Sequence, residues 1–320
     1  MSEQSIHHLH TQTRLALVIP YYRGARDIEA CLRSVTTGTR VPDKVILVDN
    51  DMDGVHATLS PGTLRDIEVL RSRPAIGFGR ASNMGVLHAF ELGCEICMVL
   101  NQDTILDPEC VAQMLETYTR TGSIAVVSAV CREYSTNAIS GHFRTHILET
   151  IPGYIADEHQ QALRRSYPLP VVFATCILFD RTFFDRFGLF DPLFTMYGED
   201  LDFSQRVIRS GGALYLSTFA FVHHRHGQET GDPVQQRSIQ SHRAFSKLIL
   251  RARYTSVSMV RLHAWCSYLF FRHLFSQTPI RAGTYSRFIV FSILHWNALK
   301  SQSVADLHRR TREATKRDLQ

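Results

Sequence analysis

The sequence predicts an α/β fold in which helices flank a mostly parallel central sheet. Three observations carry that expectation. Short apolar runs alternate with amphipathic stretches through residues 14–120, a spacing that favours parallel strands joined by crossover helices. Each run is bounded by turn-forming residues, as buried strands are. Polar and acidic residues follow directly on two of the runs, Asp49-Asn50-Asp51 on one and Asn101-Gln102-Asp103-Thr104 on another. In open α/β sheets that position, outside the carboxyl ends of the strands, is where ligands bind.

Leu15 to Pro20 opens the series as a buried strand, and Arg26 to Ser34 follows as a helix with Ile28, Cys31 and Leu32 on one face. Lys44 to Val48 is the second strand, with a turn at Asp53-Gly54 beyond it. Ile67 to Leu70 forms the third strand, Ala81 to Leu92 a helix, and Ile96 to Leu100 the fourth strand. The next helix, Pro108 to Thr119, takes its cap and acidic first turn from Asp107-Pro108-Glu109, which leaves Asp103 free of a capping task. Ile124 to Val127 and Val171 to Phe179 are further strands, and the polar segment 136–166 between them is expected as a long loop or small insertion. Leu201 to Ser210 is a helix stopped by Gly211-Gly212, and the short strands Ala213 to Leu216 and Ala220 to Val222 lead to His223-His224-Arg225-His226-Gly227. Residues 241–320 are expected to be helical.

At 320 residues and 44% hydrophobic composition the chain can bury one sizeable core and still carry an appendage. Residues 1–13, polar and without an apolar core, are expected as a flexible lead that cannot act as a secretory signal. No apolar run approaches the roughly 18–20 residues that a bilayer-spanning helix needs. The seven cysteines are odd in number and scattered, which suits reduced thiols in a cytoplasm, and Cys94-x-x-Cys97 has no second pair to complete a zinc site. Charge is divided unevenly: residues 243–320 carry 14 Lys+Arg against 3 Asp+Glu, so an acidic body precedes a basic tail. In that tail Leu262, Trp265, Cys266, Leu269 and Phe270 follow helical spacing between Arg261 and Arg272-His273. Such a helix suits either an anionic bilayer surface or packing against the body. The tail shows no recognised nucleic-acid module, which argues against nucleic acid as a partner.

Several motifs stand in a fixed order. They are Val18-Ile19-Pro20-Tyr21-Tyr22, Val48-Asp49-Asn50, Gly77-Phe78-Gly79 with Ala81-Ser82-Asn83-Met84-Gly85, Leu100 to Thr104, Gly188-Leu189-Phe190-Asp191, Gly198-Glu199-Asp200-Leu201-Asp202, and His224 before Gly227. Any one is weak, but the order is specific. Over roughly residues 14–230 the chain resembles the family 2 glycosyltransferases, in particular a bacterial branch containing rhamnosyltransferases. The resemblance implies a GT-A type, Rossmann-like catalytic domain over 14–240, with a nucleotide-binding half to 120 and an acceptor-binding half beyond it. Beyond the resemblance, charge and helical spacing predict a helical basic C-terminal extension over 241–320.

What the resemblance implies about chemistry is concrete. The donor is a nucleotide-diphosphate sugar whose leaving group is neutralised by Mg2+ or Mn2+ held by Asp103, with His224 as a second ligand. Asn101 stands where the family's Asp-x-Asp motif has its first carboxylate, which weakens two-point metal binding. Pro20, Tyr22 and Asp49 line the nucleotide pocket, Gly77 lets backbone approach the ligand, and Asn83, Asn101, Gln102 and Arg206 complete the nucleotide-sugar contacts. Arg206 alternatively steadies the acidic cluster. Asp200 is the general base that takes the proton of the acceptor hydroxyl in a single inverting displacement, with Glu199 orienting it. Taken on residues alone, an acidic residue before a helix is a natural N-cap, and Asp202 faces solvent or supports the loop. Ala174-Thr175-Cys176 departs from the Gly-Ala pair common in relatives, so acceptor identity does not carry over. The implied partners are the sugar donor, a glycan or lipid-linked acceptor and an anionic membrane surface, with the enzyme peripheral at the inner face of the cytoplasmic membrane. A homo-oligomer is left open.

Overall fold

The computed structural model describes residues 13–55, 59–73, 75–121, 124–225, 233–274 and 279–319. Most of the expected lead and the His226-Gly227 end of the histidine motif therefore lie outside the described residues. The first strand β1 (Leu15–Tyr21) is buried along its whole length, and β2 (Lys44–Asp49), β3 (Glu68–Arg71) and β4 (Ile96–Leu100) lie parallel around it in the order β3-β2-β1-β4. Helices α1 (Ile28–Thr36), the short α2 (Pro61–Leu64) and α3 (Phe78–Glu91) join them. Gly85 lets α3 sit hard on the sheet, because a Cβ there would press into Val18 and Val48.

Beyond β4 the pairing becomes mixed. The sheet continues β4-β8-β6-β9-β5, with β5 (Thr104–Leu106), β6 (Ala125–Glu133), β8 (Cys176–Asp180) and β9 (Ala213–His224). Strand β8 runs antiparallel to β4, while β9 runs parallel to β6. The parallel pairs of the mostly parallel sheet expected thus lie chiefly in the nucleotide-binding half, and beyond it parallel and antiparallel pairs mix. The two short strands expected at 213–222 are one strand, β9, whose register against β6 shifts after Ser217 at a bulge. The strand expected from Val171 begins only at Cys176.

Three further elements differ from expectation. Thr104–Leu106 is a short strand, β5, which pairs antiparallel with the end of β9. After it, α4 (Cys110–Thr121) starts later than Pro108, and Asp107 offers no side-chain cap; its carboxylate instead meets His223 Nε2 at 2.7 Å and Arg132 Nη1 at 3.2 Å. Of the long loop and the small insertion expected at 136–166, the structure has the insertion. It folds into α5 (Gly141–His146), a 3-10 turn (Leu148–Thr150) and α6 (Tyr154–His159), then enters β7 (Ser166–Pro168). Its apolar residues are periodic after all, since Phe143, Ile147, Leu148, Ile151 and Tyr154 are buried, and Pro152-Gly153 breaks the pattern into short turns. Helix α7 (Arg181–Phe187) follows β8 directly, capped by Asp180, whose Oδ1 accepts from Phe183 N at 2.6 Å.

Among the described residues the tail is four helices, after α8 (Glu199–Arg209): α9 (Pro233–Tyr254), α10 (Met259–Leu274), α11 (Pro279–Lys300) and α12 (Val304–Asp318). It has its own core of Leu248, Ile249, Ala252, Leu262, Cys266, Phe288 and Leu299, which reaches the body through Phe194. It also returns to the body: Arg73 N donates to Asp318 O at 2.8 Å, and Asp318 pairs with Arg80 of α3. Leu262 and Cys266 of the predicted stripe are buried inside this bundle, whereas Trp265 remains on its surface. All seven cysteines are free and buried, as a scattered set of reduced thiols requires.

Candidate active site

The carboxyl ends of β1, β2 and β4 deliver most of the expected donor-side residues to one edge of the sheet. Pro20 is buried next to Val48. Asp49 ends β2 fully buried; its Oδ2 accepts from Val55 N at 2.9 Å and from Arg71 Nη1 at 3.1 Å, which pins the 50–55 loop over the strand end. Asn50 Oδ1 holds Ile76 N at 2.8 Å. Gln102 clamps the backbone of Tyr22 from both sides, accepting from its N–H and donating to its carbonyl at 2.7 Å each. The amide of Gln102 is thus occupied in fixing where Tyr22 stands.

Asn83 makes the same kind of clamp on Phe190, with Nδ2 donating to the carbonyl at 2.7 Å and Oδ1 accepting the N–H at 3.1 Å. Gly77, at φ 92°, precedes α3 where a Cβ would collide with the Thr195 carbonyl. The glycine therefore serves an approach of backbone to backbone, α3 against the 190–199 segment. Arg206 is mostly buried, bonded to Asp202 at 2.9 Å and to the carbonyls of Phe187 and Leu189. Of the two roles considered for it, the structure has it steadying the acidic cluster. Asp202 does not face solvent: it is fully buried between Arg206, Arg253 and Tyr254.

Register brings the metal candidates together. Strand β5 pairs Thr104 with His224, so His224 Nε2 stands 3.1 Å from Asp103 Oδ1, and Arg225 N donates to the Asp103 carbonyl at 3.0 Å. Asn101 Nδ2 lies 3.4 Å from the same ring nitrogen, while its Oδ1 is buried without a hydrogen-bond partner. An amide at 101 can donate to an unprotonated Nε2, which a carboxylate cannot do. Asp103 and His224 thus stand as a carboxylate and an imidazole within reach of each other, and among the described residues no three His, Cys, Asp or Glu side chains gather as metal ligands. This fits a hard divalent cation that completes its shell with diphosphate oxygens and water.

The acidic pair opens α8. Gly198, at φ 83°, takes the cap position, so neither Glu199 nor Asp200 is the N-cap. Asp200 Oδ1 accepts from Leu201 N at 2.8 Å, and Glu199 Oε2 is buried with no hydrogen-bond partner. Burial raises the Asp200 carboxyl to about 6. Burial, then the neighbouring Asp200, raises Glu199 to about 8. Near neutral pH Asp200 is the charged member of the pair.

The two clusters lie at the same end of the sheet. Asn101 N donates to Thr175 O at 2.9 Å, Val172 N donates to Ser204 Oγ at 3.1 Å, and Ser204 Oγ donates to Asp200 O at 2.7 Å. Segment 172–175 thus ties the end of β4 to the first turn of α8. Two features had weak sequence signals. Arg71, partner of Asp49, sits at a strand end with nothing local to mark it. Tyr197, a non-glycine residue at φ 64°, holds the turn into the acidic pair, and its place before Gly198 was the only hint.

This mixed sheet, flanked by helices, with its polar residues at the carboxyl edge, is the architecture of a GT-A sugar-transferring enzyme. The family model for glycosyl transferase family 2 matches residues 16–188, and the chain belongs to that family. It is 25% identical over 205 residues to the galactofuranosyltransferase GlfT1 of Mycolicibacterium smegmatis, covering 63% of this chain and 67% of that one. Two solved structures share the fold. One is GalNAc-T7 with UDP, GalNAc and Mn2+, at TM-score 0.58 and 13% identity over 88% of this chain; the chain spans 57% of that protein's length. The other is the mannosyltransferase PcManGT of Pyrobaculum calidifontis with GDP-Man and Mn2+, at TM-score 0.52 and 16% identity over 89% of this chain and 76% of that one.

Proposed function

We propose that the protein is an inverting, metal-dependent glycosyltransferase. It moves a sugar, with rhamnose from a deoxythymidine diphosphate donor the first to test, onto a glycan or lipid-linked acceptor in bacterial surface polysaccharide synthesis. The observation that carries this reading is the pair of polar clusters at one sheet edge, Asp103 with His224 and Glu199 with Asp200, linked through residues 172–175. A Mg2+ or Mn2+ ion bound by Asp103 and His224 would supply charge neutralisation for the leaving diphosphate. The chain's own residues do the rest. Tyr22, fixed by Gln102, and Asp49, fixed by the 50–55 loop, shape the nucleotide pocket. Asp200 takes the proton of the acceptor hydroxyl, whose oxygen forms the bond to the anomeric carbon as the bond to diphosphate breaks on the opposite face.

A uridine diphosphate hexose is the second donor reading, supported by the galactofuranosyl transfer in the relative's name and by the UDP in the GalNAc-T7 structure. A donor-by-acceptor transfer screen read by mass spectrometry tests both, and no transfer from any donor would reject the function. The metal site has its own test. Asp103→Ala is expected to weaken Mn2+-dependent nucleoside diphosphate binding by calorimetry on the order of 10- to 100-fold. His224→Ala should lose less, because Asp103 keeps the charge. Unchanged Mn2+ dependence in Asp103→Ala would remove the metal assignment.

Attachment to the inner face of the cytoplasmic membrane is part of the same reading. No helix among the described residues is long and apolar enough to cross a membrane. Between Pro233 and Ala305 the sequence has no Asp or Glu. Val260, Tyr268 and Phe271 of α10 and Val290, Ile293 and Leu294 of α11 are exposed. Apolar and purely basic surface together suit anionic headgroups, at about 1 kcal/mol per Lys or Arg near the surface. Flotation should recover the protein with phosphatidylglycerol-containing vesicles and not with phosphatidylcholine alone, and Phe271→Ser with Ile293→Ser should weaken it. Recovery that ignores vesicle charge would count against this arrangement.

A further inference from the structure

The C-terminal helix ends on the segment that leads from β3 into α3. Strand β3 is an edge of the sheet, and the chain beyond it holds the residues that close β2: Ser72 N donates to Asp49 O at 2.9 Å, Ala75 N to Asn50 O at 3.0 Å, and Ile76 N to Asn50 Oδ1 at 2.8 Å. Arg71 Nη1 adds its contact with Asp49 Oδ2 at 3.1 Å. The same segment is held in turn by the end of α12. Asp318 O accepts from Arg73 N at 2.8 Å, Leu319 makes an isolated antiparallel bridge to Ser72, and the Asp318 carboxylate pairs with Arg80 in the first turn of α3. Between these contacts Ala75 stands at φ 58°, a left-handed conformation that a non-glycine residue keeps only where its surroundings fix it.

Asp318 stands where local preference would not put it. A carboxylate in the last turn of a helix opposes the helix dipole, whereas Lys316 and Arg317 beside it suit that position. It nonetheless closes the buried stripe of α12, after Leu307, Thr311 and Ala314. Arg317 Nε is 3.9 Å away and mostly in solvent, so Arg80 is the partner that offsets burial of the charge.

We propose that Asp318 is a positioning residue for nucleotide binding: with Arg80 it sets the turn between β3 and α3, and through that turn the seats of Asp49 and Asn50. This rests on the reading of Asp49 as part of the nucleotide pocket and adds to that pocket a support from the C-terminal helix. The chain of contacts is continuous, from the Asp318 carboxylate to Arg80, from its carbonyl to Arg73, and from the residues flanking Arg73 to Asp49 and Asn50. A small displacement of a group that meets a ligand is enough to cost a large factor, so a fault at Asp318 is read as lost affinity.

Calorimetric titration of dTDP and of UDP into the full chain with Mn2+ separates affinity from folding, because the fitted number of sites counts folded molecules while Kd describes the pocket within them. Asp318→Asn keeps the size of the side chain and the carbonyl contact with Arg73, and removes only the charge that faces Arg80. It is expected to weaken the nucleotide that wild type binds by about five- to tenfold with the number of sites unchanged, and Arg80→Gln should do the same. The double variant should lose no more than about the larger single effect, since both changes break one contact. Arg309→Gln on the same helix, whose ion pair with Asp306 is exposed, should leave Kd within about twofold. An unaltered Kd in both Asp318→Asn and Arg80→Gln, with only melting temperature or site number lowered, would make the contact purely structural and overturn the proposal, as would effects that add in the double variant. If wild type binds neither nucleotide, the donor pocket itself is rejected and the positioning role with it.

Discussion

Asp200→Asn is expected to lower kcat on the order of 10^2- to 10^4-fold, the range that removal of a positioned general base commonly costs. Binding of a nucleoside diphosphate with Mn2+ should stay within about twofold, since the proposed ligands are Asp103 and His224 and the change affects transition-state proton transfer alone. The pH profile gives a second reading of the same group. Burial raises Asp200 to about 6, so kcat/KM should rise as pH passes upward through that value and the base loses its proton. Burial, then the charge of Asp200, raises Glu199 to about 8, so activity should fall again above it as a second negative charge forms beside the first. Glu199→Gln should remove the alkaline limb and keep the acid one.

Stability moves the other way. Both carboxyls have folded values above their unfolded ones, so the folded state binds protons more tightly, and stability declines as pH rises from about 4 towards those values. Asp200→Asn should therefore melt higher than wild type at pH 8 while it transfers less. A variant that kept its turnover, or lost it only by unfolding, would remove Asp200 from the base role.

The parts of this fold written in local pattern were readable. The four parallel strands and the two longer connecting helices follow from continuous apolar runs and one-sided stripes, and their boundaries moved by only a few residues; the four-residue α2 carried no such signal. The polar positions at the strand ends follow from topology, because a residue after a parallel strand lies at the ligand edge. The losses came where partners far apart in sequence set a residue's task. Asp107 resembles a helix cap until β9 brings His223 beside it, 116 residues on. Gln102 and Asn83 resemble ligand-facing amides until their backbone clamps are seen. Strand β5 is three residues long and has no signal without β9. In segment 136–166 the insertion was legible but its helices were not, because its periodic apolar residues are split among turns too short for a window to register.

Arg253 is the largest such omission and carries the second prediction. From α9, its fully buried guanidinium reaches Asp191 at 2.8 Å, Asp202 at 2.5 Å and the Leu299 carbonyl at 3.1 Å. Burial alone would raise the Asp191 carboxyl, but Arg253 and then Arg310 outweigh it and hold the group below its usual value. Arg253→Met keeps much of the volume and leaves two buried carboxylates short of their shared cation. Breaking a buried pair in this way costs about 3–5 kcal/mol. Arg253→Lys should recover only part, since one ammonium cannot span the geometry of the fork.

The pH dependence tells loss of charge from loss of packing. In wild type, with Asp191 depressed, its contribution is complete above about pH 4 and disappears as pH falls through the folded value. In Arg253→Met the Asp191 carboxylate loses the cation that does most to hold it depressed and can escape by protonation, so the gap to wild type in urea melts should narrow between pH 7 and 5. Asp202→Asn in that background should restore part of the loss, a coupling visible only if the two side chains act on each other. A gap that is constant with pH would make Arg253 a packing residue. Asp202 stands two positions after Asp200 on α8, so an Arg253 variant that still folds should also lose turnover, because the base would stand on a helix no longer anchored to the tail.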